Sequence, residues 1–302
     1  MDRFDIIVVG SGPGGYVAAV RAAQLGKSVA VIERSEIGGI CLNWGCIPTK
    51  ALLKSAQAYT YALHAAEYGF EASDVKADIT KMVQRSRGVA AQMSKGVEFL
   101  LKKNKINLIH GEAVLKSGHT VEVTDSESGS KTMYEADHII LAVGSRANSL
   151  PFAPIDGERI ISYRQALVPE KLPKSLAVIG SGAIGSEFAF FYRSLGVEVY
   201  LIEYLDRVLP VEDDDVSAQI SRSFRKAGIK VMTAAQVKSV DTTGELCRLT
   251  VETKKGTETI EAETVLSAVG VIPNTDYLGL EEVGVEMVRG RKIKVDEYYR
   301  TN

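Results

Sequence analysis

Phe4-Asp5-Ile6-Ile7-Val8-Val9-Gly10-Ser11-Gly12-Pro13-Gly14-Gly15, followed by residues 16–25, then 28–32 and Glu33, decides the fold. Residues 4–9 form an apolar run suited to a parallel strand buried on both faces. The stretch 16–25 is rich in Ala and Val and predicts a helix, which Gly26 ends. Residues 28–32 predict a second strand. Strand, Gly-x-Gly-x-x-Gly turn, helix, strand and acid therefore occur in the order of a dinucleotide-binding βαβ unit. Gly10 permits the tight turn, Gly12 lets the backbone approach a pyrophosphate, and Gly15 allows close helix–strand packing. Pro13 and Gly14 lie at the mouth of the helix, whose free N–H groups favour phosphate. Glu33 is placed to bond ribose hydroxyls.

The pattern returns at 176–203. Residues 176–179 predict a strand, Gly180-Ser181-Gly182-Ala183-Ile184-Gly185 the turn, 186–195 a helix, and 197–202 a strand ending at Glu203. Each acid stands 23 positions after its first glycine, 33 after 10 and 203 after 180, so the two units repeat in register. Glu203 favours NAD over NADP, because an acid repels a 2′-phosphate. Arg207 reads as a solvated loop charge. A lone glycine motif is a weak signal; two with their full context point to two bound dinucleotides.

Between the units, helices are expected at 48–68, which Pro48 opens, and at 78–103. Strands are expected at 106–110, 120–123 and 138–143. The connector 147–174 holds four of the eight prolines and one short helix at 163–167. After the second unit come a helix at 213–226 and strands near 229–233, 236–240, 246–252, 258–261 and 265–269. The fold class is α/β: two Rossmann-like FAD/NAD(P)-binding domains, each a parallel sheet with helices and a small antiparallel β-meander.

The chain of 302 residues has 45% apolar and 25% charged residues and a net charge of −2. These values fit globular domains and mark no nucleic-acid or acidic-membrane partner. No apolar run approaches the roughly 20 residues that span a bilayer. The first five residues lead straight into the first strand, so a cytoplasmic protein is expected.

Three cysteines, Cys41, Cys46 and Cys247, argue against a secreted disulfide scaffold. Two of them sit in Gly38-Gly39-Ile40-Cys41-Leu42-Asn43-Trp44-Gly45-Cys46-Ile47-Pro48-Thr49-Lys50. A thiolate at a helix N-terminus is stabilised by the free N–H groups, and Lys50 adds positive charge. Zinc would need two further ligands, and His64, His110, His119 and His138 show no ligand spacing, so no metal is expected. Two unreactive buried thiols are the other reading, since free Cys often serves as a small core residue. The flanking glycines and the Pro-Thr-Lys sequel favour a redox pair. Cys247 reads as a plain core or surface thiol.

This cysteine stretch resembles the redox-disulfide segment of the pyridine nucleotide–disulfide oxidoreductases, and within that family its dihydrolipoamide dehydrogenase branch. The resemblance covers essentially the whole chain. It implies an FAD-binding domain with the redox disulfide at 1–147, an NAD-binding domain at 148–270 and a return segment to the FAD domain at 271–302. The first turn with Glu33 and Gly39 matches the family's FAD site. Ala113 in Gly111-Glu112-Ala113 and Gly144 in Leu141-Ala142-Val143-Gly144-Ser145 fall in segments that border FAD, with Val143 where Thr is usual. The second turn, including Ile184, matches the NAD site. Val237 falls where the family lines the adenosine pocket, and Gly270 in the segment returning to the FAD domain.

The roles follow by implication. Cys46 faces the flavin, Cys41 meets the dithiol, and Lys50 lies near the flavin and pairs with Glu187. A buried Lys without that partner would be costly. The implied reaction takes dihydrolipoamide and NAD to lipoamide and NADH through Cys41, Cys46 and FAD. The implied partners are lipoamide or a lipoylated domain of 2-oxo-acid dehydrogenase complexes, and the parent is a homodimer. The family also carries a His-Pro base, supplied by the partner subunit from a C-terminal dimerisation domain, and a Gly-Asp segment that holds the flavin. Neither occurs in these 302 residues. Impaired activity is therefore expected of this chain alone. Related readings are a glutathione- or mercuric-type reductase, which Glu203 and the lack of further cysteines disfavour, and a non-catalytic FAD/NAD-binding module.

Overall fold

A computed structural model describes residues 1–302. The chain divides into two compact units. The first consists of Met1–Cys46, Val89–Arg146 and Ile272–Asn302, the second of Ile47–Gly88 and Ala147–Val271. In chain order the first stretch runs β1 (Asp2–Val9), α1 (Pro13–Gln24), β2 (Val29–Glu33), α2 (Gly39–Trp44) and α3 (Cys46–Leu63). A 3-10 turn (Ala65–Tyr68) leads to α4 (Ile79–Lys103), β3 (Asn107–His110), β4 (Glu112–Leu115), β5 (Thr120–Thr124), β6 (Lys131–Leu141) and β7 (Ser145–Ala147).

In the first unit one six-stranded sheet has the order β3-β2-β1-β6-β5-β4. Strands β3, β2, β1 and β6 run parallel, while β4 and β5 continue the sheet antiparallel. The meander expected beside the parallel strands is thus part of the same sheet. Val9 is in register with both Ile32 and Leu141, so β1, β2 and β6 finish together, at the edge where open α/β sheets bind ligands. Strand β6 begins at Lys131, seven residues before the expected 138, because Lys131, Thr132, Glu135 and Asp137 break any apolar run in its first half. Phe4, Ile7, Val9, Ala30, Ile32, Val121, Val123 and Ala136 form the core. Leu280 of the 272–302 segment is buried among them, and Leu115 N–H donates to Leu278 O at 2.8 Å.

Residues 47–88, assigned by sequence to a 1–147 domain, group instead with the second unit. Ser86 Oγ donates to Pro48 O at 3.0 Å and Arg85 to Ala51 O at 2.8 Å, which clamps α3 to α4, and Lys50 reaches the second unit's Glu187.

The second unit continues with β8 (Ile160–Ile161), α5 (Tyr163–Leu167), β9 (Ser175–Ile179), α6 (Ala183–Ser194), β10 (Glu198–Ile202), α7 (Asp214–Lys226) and β11 (Lys230–Met232). Then come β12 (Gln236–Asp241), β13 (Cys247–Thr253), β14 (Gly256–Ala262) and β15 (Thr264–Ser267). A parallel sheet has the order β11-β10-β9-β15-β8, and β12-β13-β14 form a separate antiparallel meander. The meander packs on the sheet through Ile179, Ile202, Val237, Cys247, Leu249 and Val265. Ile202, Ile179 and Ser267 are in register, so this sheet also ends its strands at one edge. Three short strands close the chain: β16 (Val271–Pro273), β17 (Met287–Val288) and β18 (Lys292–Ile293). No helix is long and apolar enough to cross a membrane.

Candidate functional site

At the strand-end edge of the first unit, β1 turns through Gly10, whose φ is +101°. A Cβ there would lie 2.3 Å from Ala142 O, so only glycine fits against β6. A Cβ at Gly15 would lie 1.8 Å from Gly10 O. Gly12 differs: a Cβ there meets no protein atom within 4 Å. It is the N-cap of α1, no side chain caps it, and Pro13 follows in the first turn. The start of α1 thus faces open space at Gly12, with the exposed Pro13 and Gly14 at the rim, while the N–H groups of Gly15 and Tyr16 turn back to Gly12 O at 2.9 Å each. Gly39 closes one side, since its Cβ would come within 2.9 Å of Gly12 Cα.

Glu33 is buried at 8% exposure. Its Oε2 accepts Ser11 N–H at 2.9 Å and Ser11 O–H at 2.6 Å, and its Oε1 accepts Ser35 N–H at 2.9 Å. Ser11 Oγ in turn accepts Gly38 N–H at 3.1 Å. The acid is thereby fixed beside the glycine turn and linked to the segment that carries the cysteines.

The second unit repeats this construction. Gly180 has φ +97°, and its Cβ would lie 2.5 Å from Ala268 O. A Cβ at Gly185 would lie 1.9 Å from Gly180 O, while one at Gly182 meets nothing within 4 Å at the uncapped start of α6. Glu203 accepts Ser181 N–H and O–H, each at 2.8 Å, and Leu205 N–H at 2.9 Å. Gly144 and Gly270 correspond as well. Each stands two residues beyond the alanine whose carbonyl meets the first glycine, with φ of +67° and +97°. Gly144 O accepts Asn274 N–H, and Gly270 O accepts Asn148 N–H, both at 3.0 Å.

Ser11 and Ser181 were missed in the sequence, where they occupy a position free to vary in the glycine pattern. The only available signal was that both turns read Gly-Ser-Gly. Ala113 lies on β4, half-buried against the core, just after Gly111, whose N–H bonds Glu33 O at 3.0 Å. Ile184 lies half-buried in the first turn of α6. Val237 is 7% exposed and its side chain belongs to the core of the second unit. Arg207 pairs with Asp214 and donates to Pro210 O, so it is a partnered loop charge.

The cysteine stretch holds a helix that its composition does not announce. Gly38, at φ +91°, caps α2, which carries Cys41, and Gly45 breaks the helix before Cys46 opens α3. Helix α3 therefore starts two residues ahead of Pro48, which sits in a first turn where its missing N–H costs nothing. A Cβ at Gly45 would lie 3.4 Å from Cys41 Cα, so glycine lets the chain fold back on Cys41. Asn43 Nδ2 donates to Ile37 O and Gly39 O, and Trp44 Nε1 to Glu36 Oε1. Cys41 is half-buried and Cys46 exposed. Cys247 is fully buried, and burial pushes its thiol up. It is a core residue.

Lys50 follows Cys46 by one turn of α3, hence on the same face. Its Nζ lies 2.5 Å from Glu187 Oε1 on α6. The Lys50 side chain is 62% exposed and that of Glu187 27%. The expected pair is present, but the lysine is not buried, so no desolvation cost compels it.

Both cradles are sealed by protein at the first and third glycines and open at the second, at the start of a helix. That geometry fits the pyrophosphate of a dinucleotide. The model of the pyridine nucleotide-disulphide oxidoreductase family matches residues 4–302, and the chain belongs to that family, whose cofactors are FAD and NAD(H). It is similar to dihydrolipoyl dehydrogenases of Rhizobium etli, at 46% identity over 317 residues, and Zymomonas mobilis, at 43% over 302. Each match covers 100% of this chain and respectively 66% and 64% of the relative, so the chain spans just under two thirds of their length. Among solved structures, LpdA from Mycobacterium tuberculosis is similar with a TM-score of 0.89 at 33% identity, covering 100% of this chain and 65% of that one. The HOCl-induced flavoprotein disulfide reductase RclA from Escherichia coli gives a TM-score of 0.85 at 25% identity, with 100% and 64% coverage.

Proposed function

We propose that this chain carries the thiol pair, the FAD cradle and the NAD cradle of a flavoenzyme that converts dihydrolipoamide and NAD to lipoamide and NADH. In this reading residues 1–147 with the return segment 271–302 serve FAD, and 148–270 serve NAD. The observation that carries it is the row Cys41, Cys46, Lys50: one thiol on α2, one at the exposed start of α3, and a cation one turn on, tied to Glu187.

The chemistry assigned to these residues is thiol–disulfide exchange. With Cys41 and Cys46 joined, a substrate thiolate attacks the Cys41 sulfur, the Cys41–Cys46 bond breaks, and Cys46 leaves as the thiolate. The second substrate thiol, after losing its proton, displaces Cys41 and closes the lipoamide disulfide, so both cysteines end reduced. FAD, when bound, supplies the two-electron relay from the reduced cysteines to NAD. Lys50 contributes the positive charge that favours reduced, anionic flavin, and Glu187 fixes its position. Lipoamide, or a lipoylated domain of 2-oxo-acid dehydrogenase complexes, is the partner, and the parent assembly is a homodimer. A cytoplasmic location belongs to the proposal, since exchange-competent thiols need a reducing compartment.

The test is NADH formation from dihydrolipoamide by the FAD-loaded protein, beside Cys41→Ser and Cys46→Ser. The reading requires that both substitutions abolish it. A serine variant that turns over like the unsubstituted protein, or turnover supported only by glutathione or Hg(II), overturns it.

A further inference from the structure

Each acid beyond a glycine turn is bound by a serine to which nothing so far assigns a role. We propose that Ser181 is a positioning residue that fixes the Glu203 carboxylate for the ribose diol of NAD and so sets the preference for a 2′-hydroxyl over a 2′-phosphate. The proposal rests on the reading of the second cradle as the NAD site.

The acceptor sites of Glu203 are nearly all taken. An ionised carboxylate offers about four. Oε2 of Glu203 receives two donors, the Ser181 N–H and O–H at 2.8 Å each, and Oε1 receives Leu205 N–H at 2.9 Å. Three sites are filled and one is left, on Oε1. A carboxylate held at both oxygens cannot turn about its last bond without breaking these contacts. The remaining site therefore has a fixed direction, and it accepts only a donor. A ribose hydroxyl is a donor. A 2′-phosphate brings negative charge with no proton to offer at neutral pH.

Ser181 is fully buried and Glu203 is 7% exposed, so bulk water does not compete for this contact. Without it, Oε2 keeps one backbone donor and the carboxylate gains freedom to swing away from an incoming phosphate. The same contacts recur at Ser11 and Glu33, with Ser35 N–H in the place of Leu205 N–H. Ser11 is fully buried too. Two units that bury separate cores have built the same lock.

The experiment measures Kd for NADH and NADPH by titration calorimetry on the purified FAD-loaded protein, with Ser181→Ala, Glu203→Gln and the double variant. Ser181→Cys, which keeps a side chain of similar size with a weaker donor, replaces Ser181→Ala if the latter fails to fold. Ser181→Ala is expected to weaken NADH about tenfold and leave NADPH within about twofold, the low end of what a hydrogen bond to a charged group contributes. In the Glu203→Gln background it is expected to do nothing further, because the serine acts through the acid. An unchanged NADH/NADPH preference in Ser181→Ala, or a full second loss in the double variant, overturns the proposal. If Glu203→Gln leaves NADH binding untouched, the assignment of the NAD site itself has failed, and the serine's role falls with it.

Discussion

Lys50 Nζ meets Glu187 Oε1 at 2.5 Å across 137 positions of sequence, joining α3 to the helix of the second glycine turn. The lysine is 62% exposed, and exposed ion pairs contribute at most about 1 kcal/mol. The pair is therefore poorly explained by stability. Lys50→Met is expected to shift the melting temperature by less than about 4 °C. Anaerobic reduction of the flavin by dihydrolipoamide is expected to slow about 100- to 1000-fold, the loss typical of one charge-stabilising group. A large fall in melting temperature with an unchanged reduction rate would reverse the assignment.

The glycines of each turn separate into two kinds. Gly10→Ala and Gly180→Ala place a methyl 2.3 Å and 2.5 Å from a backbone carbonyl at positive φ, and both should destabilise the fold by about 2 kcal/mol or more. Gly12→Ala and Gly182→Ala meet no protein atom within 4 Å. They should fold with stability changed by less than about 1 kcal/mol yet bind their dinucleotide at least about tenfold more weakly, because the methyl fills the space for the pyrophosphate. Thermal melts and nucleotide titrations of all four variants check this.

Cys247 and the paired cysteines should separate by reactivity. Burial raises the Cys247 thiol above its ordinary value. The folded state thus holds this proton more tightly than the unfolded chain does. The stability from Cys247 is full below the unfolded thiol value, about 8.5, and is lost as pH rises beyond it. After reduction, alkylation at pH 8 should label the exposed Cys46 while Cys247 stays protected until the chain unfolds. Cys247→Ala should cost about 1 kcal/mol near neutral pH and remove that part of the alkaline loss.

Arg207 pairs with the exposed Asp214 and donates to Pro210 O, so it is a loop charge with partners on its own loop. Arg207→Ala should change the NADH/NADPH preference by less than about twofold, as expected for an exposed ion pair. Paired titrations of the two nucleotides check it.

Much of this was legible in the sequence, for physical reasons. Gly10, Gly15, Gly180 and Gly185 are written into the chain because a Cβ at each would strike backbone. Glu33 and Glu203 stand where their strands end, one register step past Ile32 and Ile202. Other features depend on contacts that no local pattern encodes. Helix α2 was hidden by its two leading glycines and by Cys, Asn and Trp, all modest helix formers. It is fixed by tertiary bonds, such as that from Ser94 Oγ to Asn43 at 3.0 Å. The grouping of 47–88 with the second unit was not legible, because contacts such as that of Lys50 with Glu187 join residues distant in sequence. Ser11 and Ser181 escaped because a serine in a turn has many ordinary uses, and only coordinates show both hydroxyls on an acid.

In the proposed reaction the Cys41–Cys46 pair exchanges with a dithiol and communicates with bound flavin. The most direct measurement is the visible absorption spectrum of the FAD-loaded protein during anaerobic addition of dihydrolipoamide, with Cys46→Ser alongside. A new long-wavelength band beyond the flavin's own absorption, absent in Cys46→Ser, is the expected result. A flavin spectrum indifferent to dihydrolipoamide, or an identical response in the serine variant, would contradict it.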